Sequence, residues 1–307
     1  MRFTPKATKL LASLLIATTL IFIGCQKENK EVSQQDNEQF AQATSESDAE
    51  AEATFDDVFD NVIGVNTEVG IGGTGLFGQP YQRPGEELIS GANGADSVPP
   101  CLTITVTHLN APAVFPVKIV LDFGAGCTGR DGRLRKGKVI TVYTGRLIVP
   151  GSVAETSFDG YYVNGIHVEG SHRVENKSTS NNLSFEIKVN NGKLTKPNGN
   201  YTQWNSVKLI TQTEGNGTPL YPLDDVFSIN GETNGAVKRD SAFYQWAART
   251  LPDNPLIKKW ACRWIVKGKV AIRRSNADVA ILDYGTGNCD NKATITVNGV
   301  VYEITLH

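Results

Sequence analysis

The residues of this 307-residue chain with types and spacing suited to chemistry are four histidines, five cysteines and several glycine- and aspartate-rich turns. Gly70-Ile-Gly72-Gly-Thr-Gly75 carries the letters of a dinucleotide-binding turn. Such a turn must open a helix whose N-terminus receives the pyrophosphate, and the Leu-Phe-Gly-Gln-Pro that follows cannot, so the segment reads as a loop. Asp122-Phe123-Gly124 spells a kinase metal-binding triplet, but the catalytic loop and lysine strand that give it meaning there are missing. His167 and His172 differ in strand parity and should point to opposite faces, which argues against a shared haem or metal. His172 is expected among core residues with a hydrogen-bond partner. Asp283 and Asp290, in Asp-x-Gly-x-Gly-x-x-Asp, are calcium candidates, with Asp122 and Asp131 in an earlier copy of the pattern. The same residues suit tight turns, where Gly supplies a positive φ and Asp bonds the local backbone. Neither G-x-S-x-G nor H-E-x-x-H occurs, so no nucleophile is marked and no cofactor is expected.

Cysteine chemistry divides in two. Cys101, Cys127, Cys262 and Cys289 make no C-x-x-C pair, which argues against zinc and redox motifs and for disulfides in an oxidising compartment. Cys101-Leu-Thr-Ile104 leads to Leu121-Asp-Phe-Gly124-Ala-Gly126-Cys127, and Cys262-Arg-Trp-Ile265 leads to Leu282-Asp-Tyr-Gly285-Thr-Gly287-Asn-Cys289. Four cysteines allow three connectivities, and the repeated spacing with repeated flanks selects Cys101–Cys127 and Cys262–Cys289, each closing a hairpin. Cys25 is different. Arg2, Lys6 and Lys9 precede an apolar run from Leu10 to Ile23 that ends in Gly24-Cys25. The run is too short to span a bilayer, which needs about 20 residues, so residues 1–24 read as a signal peptide. Phe22-Ile-Gly-Cys25 looks like a lipobox with Phe in place of the usual Leu, and the Cys25 thiol is the group that would accept the diacylglycerol.

Around these residues the chain must supply a scaffold. Residues 26–54 carry eight Asp/Glu against two Lys with almost no apolar content, and are expected to form a disordered acidic linker after the acylated cysteine. Residues 55–307 carry 24 Asp/Glu against 25 Lys/Arg, a balance that does not point to nucleic acid as a partner. Thr54 reads as an N-cap, and Phe55, Val58, Phe59 and Val62 recur at helical spacing, predicting one short helix of two to three turns. From residue 101 the period changes to two. Leu183, Phe185, Ile187 and Val189 alternate with polar residues before Asn190-Asn191-Gly192, which reads as a turn. Ile166, Val168 and Val174 oppose His167, Glu169, Ser171 and Arg173, and Asn298-Gly299 separates two alternating runs. Residues 241–266 fit a hairpin turning at Pro252-Asp-Asn-Pro255. The expected fold is all-β: one elongated antiparallel sheet or sandwich of meander hairpins over residues 55–307, with a short N-terminal helix.

Several segments carry a resemblance. They are Phe115-Pro-Val-Lys-Ile-Val-Leu-Asp-Phe-Gly124, Cys127-Thr-Gly-Arg-Asp-Gly-Arg-Leu-Arg-Lys-Gly-Lys138, Tyr162-Val-Asn-Gly-Ile166 and Cys289-Asp-Asn-Lys-Ala-Thr-Ile-Thr-Val-Asn-Gly299. Through them, residues 101–307 resemble a group of Bacteroidota outer-membrane lipoproteins. Gln26-Lys-Glu-Asn-Lys30 is similar to the polar-acidic signal that such lipoproteins carry after the acylated cysteine. The resemblance implies an all-β lipoprotein held in outer-membrane lipid by its acyl anchor and facing the exterior. It brings no activity with it.

The function expected from these readings is a non-catalytic binding or envelope structural module, with an extracellular polysaccharide or protein hydrolase as the alternative. The expected ligand face is the row His167, Glu169, Ser171 and Arg173, with Tyr161 and Trp204 as aromatic neighbours able to stack on a glycan or meet a protein. Two basic runs, Arg130 to Lys138 and Lys258 to Lys269, read as charged strand edges that resist aggregation. Asp96-Ser97-Val98 and Asp240-Ser241-Ala242 resemble Bacteroidota O-glycosylation sites.

Overall fold

The computed structural model describes residues 34–64, 101–129, 132–179, 182–217, 222–273 and 278–306. The signal segment, Cys25, the Gly70–Gly75 loop, Ser97, Arg130, Asp131 and His307 lie outside them. Among the described residues, α1 (Gln34–Gly64) precedes β1 (Thr103–His108), β2 (Val117–Asp122), β3 (Cys127–Thr128), β4 (Leu134–Tyr143) and β5 (Val153–Val163). There follow β6 (Ile166–Asn176), β7 (Ser184–Thr195), β8 (Tyr201–Glu214), β9 (Val226–Arg239) and β10 (Ala242–Thr250). The series ends with β11 (Leu256–Lys259), β12 (Ile265–Arg273), β13 (Ala280–Thr286), β14 (Lys292–Val297) and β15 (Val300–Thr305). All join one antiparallel sheet, ordered β1-β2-β4-β5-β6-β7-β8-β9-β10-β12-β13-β14-β15, with β3 beside β4 and β11 between β9 and β12. The fold is therefore all-β with an N-terminal helix. Alternation puts one set of side chains inward, as in the buried-intermediate rhythm of β2 and β8.

The helix departs from its expected length. It starts at Gln34, so residues 34–54, expected as disordered linker, form its first five turns. Between Gln34 and Ile63 there is neither Gly nor Pro, and Ala41, Ala43, Ala49, Ala51 and Ala53 favour helix. Thr54 is no cap: its hydroxyl donates back to the Glu50 carbonyl at 2.8 Å, inside the helix. Gly64 is the first glycine after the helix begins and its last residue. No side chain from Phe40 to Phe59 is exposed. Phe55 meets Phe158 of β5, His172 of β6 and Trp204 of β8; Phe59 meets Phe185 of β7; Phe40 meets Tyr244 of β10. The Tyr143 hydroxyl of β4 donates to the Val62 carbonyl at 2.9 Å, and β9, β12 and β14 also touch the helix. Only a sheet curled around α1 can present so many strands to it.

Small residues permit that approach. Ala41, Ala43, Ser45, Ser47, Ala49 and Ala51 are all buried, and an inward row across the sheet, Thr141, Thr156, His172, Ser206 and Thr233, is small or polar.

Turns divide between expectation and revision. Asn164-Gly165 and Asn298-Gly299 both take positive φ, as a two-residue hairpin turn requires. Asn191-Gly192 is instead a bulge within β7, where the register to β8 shifts between Val189 and Gly192. The chain does not reverse there, because Trp204 lies over Gly192, where a Cβ would come within 2.8 Å of the indole. The disulfides Cys101–Cys127 and Cys262–Cys289 are both formed. They close the β1–β2 and β12–β13 hairpins at opposite ends of the sheet. In the chain-entropy model each loop contributes about 3–4 kcal/mol.

β10 and β11 are not a hairpin. Both lie in one lane beside β9, with Arg249 opposite Glu232 and Leu256 opposite Ile229. Six residues, Thr250 to Pro255, therefore stand opposite only Asn230 and Gly231, and the surplus rises out of the lane. The two prolines and the Asp-Asn pair make that excursion, not a reversal, the low-energy path. Trp260, Cys262 and Trp264, expected on a continuing strand, form the turn between β11 and β12.

Candidate functional site

The interior between α1 and the sheet is charged. Asp57 holds Arg135 at 3.0 Å and Arg133 at 3.2 Å, and the Arg135 side chain is wholly buried. Asp56 meets Lys258 at 3.5 Å, Glu50 meets Lys196 at 3.0 Å, and Glu46 meets Arg239 at 2.6 Å. Lys208 lies against Glu52 and beside Asp48. Burial pushes the Asp48 and Asp56 carboxyls up, against the pull of Lys208 and Lys258, and brings the Lys208 ammonium down to about 8. Arg133, Arg135 and Lys258, expected on solvated strand edges, thus turn inward as counter-ions to the helix. Alternation decides this: Leu134 and Lys136, their neighbours, are exposed.

His172 sits in this interior, so its core position matches expectation, but neither ring nitrogen has the expected hydrogen-bond partner among the described residues. Burial lowers its pKa to about 3. The ring stays neutral in the folded chain, whereas in the unfolded chain it protonates below about 6.5. Stability is therefore lost as pH falls from 6.5 towards 3. His172→Leu is expected to remove this component. Urea titrations between pH 6 and pH 4 should show the two proteins diverging by about 1.4 kcal/mol per pH unit, and parallel curves would refute the assignment.

The expected ligand face is split. His167, Glu169 and Arg173 do lie on the outer surface of β6, but their charges are engaged with neighbours. His167 stacks on Tyr162 at 4.5 Å and meets Glu169 at 3.5 Å, and Arg173 bridges Glu155 at 3.1 Å and Glu175 at 2.7 Å. The two aromatic neighbours face the other way. Trp204 is 4% exposed and Tyr161 1%, both in the core. A bulge in β5 between Ser157 and Tyr162 reverses the parity and puts Tyr162, not Tyr161, outside. Trp204 follows the inward set of β8, against Phe55.

Asp283 and Asp290 each serve a turn: Asp283 accepts the Gly285 amide at 2.9 Å and pairs with Lys269, and Asp290 accepts the Lys292 amide at 2.9 Å. Asp122 repeats the first arrangement with Gly124 and Lys138. Among the described residues no three His, Cys, Asp or Glu side chains are placed to hold a metal ion. Ser241 is exposed in the turn between β9 and β10.

The site that sequence reasoning missed lies on the outer face where the β10–β11 lane breaks. There a groove of 420 Å³ is floored by Val207 and Leu209 of β8 and walled by the Thr250–Pro252 excursion. That volume is in the range of small-ligand clefts. Val207 is 41% and Leu209 46% exposed, apolar surface on a strand whose other outward residues are polar. Glu186 stands on one side; Glu232 and Arg249 stand opposite each other on the other. Among the described residues Glu232 and Arg249 make no ion pair with each other or with any third group. Pro252 and Pro255 were the legible signal of the break.

No known family model, curated protein or solved structure matches the chain. The groove offers an aliphatic floor, the Arg249 guanidinium and two carboxylates; Lys208, which also lines it, carries its ammonium inward to Glu52. That set can hold a ligand by contact and charge.

Proposed function

We propose that this chain is an exported, outer-membrane lipoprotein, acylated at Cys25, whose sheet displays a binding groove on its outer face and turns over no substrate. The observation that carries the binding reading is the exposed Val207–Leu209 floor beside the unpaired Arg249 and Glu232. Two disulfides favour an oxidising compartment. Eight residues lie between Cys25 and Gln34, at most about 30 Å of chain, so the anchor would be tied to a helix locked in the sheet, not to a long free linker. Such an arrangement holds the domain close to the membrane.

Metabolic labelling with a palmitate analogue should mark the wild-type chain and not Cys25→Ser, and equal labelling would refute the anchor. Glycan and peptide arrays probed with the detergent-purified protein should yield a retained ligand that is recovered unchanged. Degradation of an arrayed polysaccharide or peptide would replace the binding reading with a hydrolase.

A further inference from the structure

We infer that the groove at the β10–β11 break takes an extended peptide, with an aliphatic side chain on Val207 and Leu209 and charged groups of both signs beside Arg249 and Glu232. The inference rests on the reading that the domain acts by binding, and narrows it to one ligand class. Four observations converge on it. From β7 to β10 the groove crosses three strand spacings, roughly 14 Å, the width of an extended chain with its side chains. The floor is aliphatic with no aromatic ring among its lining residues, so it lacks the stacking platform that suits a sugar or a base.

The charges at the rim are unlike and unspent. Arg249 and Glu232 are in register on adjacent strands, and both are exposed, with no ion partner among the described residues. By contrast Glu186, across the groove, is already paired with Lys188 at 2.7 Å. A ligand with only one sign of charge would satisfy one of the free pair and be repelled by the other. A peptide carrying both signs within a few residues satisfies the two together. Finally, Asn230 and Gly231 are paired with no residue of β10 or β11, because the register jumps from Glu232 to Ile229 across the break. The break is a two-residue interruption of the ladder on the β10 side only, since β8 still pairs both residues, and it leaves backbone beside the groove for an extended peptide to bond.

A phage-displayed library of linear heptapeptides, panned on the detergent-purified full chain, tests this. Enriched sequences are expected to place Leu, Ile or Val within two residues of an acidic and a basic side chain. Synthetic peptides from the enriched set should bind at least tenfold more weakly to Arg249→Ala and to Leu209→Ser. Binding to Arg173→Ala, on the β6 face, should be unchanged. Arg249 and Leu209 are exposed, so the thermal midpoints of these variants report whether folding is intact. Selection of no peptide above the Arg249→Ala/Leu209→Ser background overturns the inference, as does binding that persists in that double variant. A glycan retained through Arg249 in the absence of any peptide would overturn the peptide assignment while leaving the binding reading standing.

Discussion

A chain shortened to begin at Phe55 is expected to remain unfolded, whereas one that begins at Gln34 folds, as read by a cooperative thermal transition in near-ultraviolet circular dichroism. The shorter chain keeps every strand and both disulfides, so a sheet that stood alone would tolerate the deletion. It loses Phe40 and the buried alanines of α1. It also loses Glu46, Asp48, Glu50 and Glu52, the partners of Arg239, Lys208 and Lys196. Of these cations Lys208 is the most buried, Arg239 and Lys196 being part-exposed; a buried cation stripped of its partner costs about 3–5 kcal/mol, and removing a core phenylalanine costs a similar amount, about 3–5 kcal/mol. Together these approach the whole stability of an ordinary domain, about 5–15 kcal/mol. A cooperative transition in the chain starting at Phe55 would show that α1 is an ornament on the sheet.

Asp57→Ala is expected to be the most damaging single removal of a charge from the helix, lowering unfolding free energy by about 3–5 kcal/mol and the midpoint by on the order of 10 °C. Asp57 is 16% exposed, yet it is the carboxylate between Arg133 and Arg135, and the Arg135 side chain has no contact with solvent. Burial and the Asp57 charge also hold the nearby Tyr161 hydroxyl neutral by raising its pKa. Asp57→Asn keeps the shape and should lose most of the same energy, which separates charge from packing. Adding Arg135→Met to Asp57→Ala removes one of the two cations that faced the carboxylate and should restore part of the loss. Urea denaturation of these proteins together with Arg135→Met alone completes the cycle, and a loss below about 1 kcal/mol for Asp57→Ala would place the pair among weak surface bridges.

Both expectations concern a segment whose character composition misstates. Residues 34–54 are polar and acidic, and by themselves could bury nothing. Their partners, like those of Asp56 and Asp57 just beyond, come from distant strands: Arg239 for Glu46, 193 positions away, Arg135 for Asp57, 78 away, and Lys258 for Asp56, 202 away. No window of sequence contains such a pair. What local reading did capture was the apolar repeat Phe55, Val58, Phe59 and Val62, whose burial needs only one face. The basic runs were misassigned for the same reason, since a charged residue at an inward position looks like any other charge until its counter-ion is known.

The candidate site was less legible than the fold. The outward row of β6 was placed correctly by parity, but parity cannot say whether an outward charge is free. Arg173 is engaged by two glutamates, and Arg249, unremarkable in sequence, is engaged by none. Tyr161 was misplaced because the β5 bulge adds residues that alternation does not count, and Trp204 because the facing of β8 relative to β6 is set by the sheet and not by either strand alone. The groove itself exists because two pieces of chain share one lane, a relation between β9, β10 and β11 that no single strand records.

The sequence by itself determined the all-β character, through period-two alternation; the Asn298-Gly299 reversal, through φ; and the two disulfides, through repeated spacing with repeated flanks. These depend on chemistry within a few residues or on a count. Only the tertiary structure decided that the acidic segment is the helix at the centre of the sheet, which charges are spent, and where the outer face opens. Those outcomes turn on which distant side chains share a low-dielectric interior, and the energy of a charge there is set by its partner, not by its own identity.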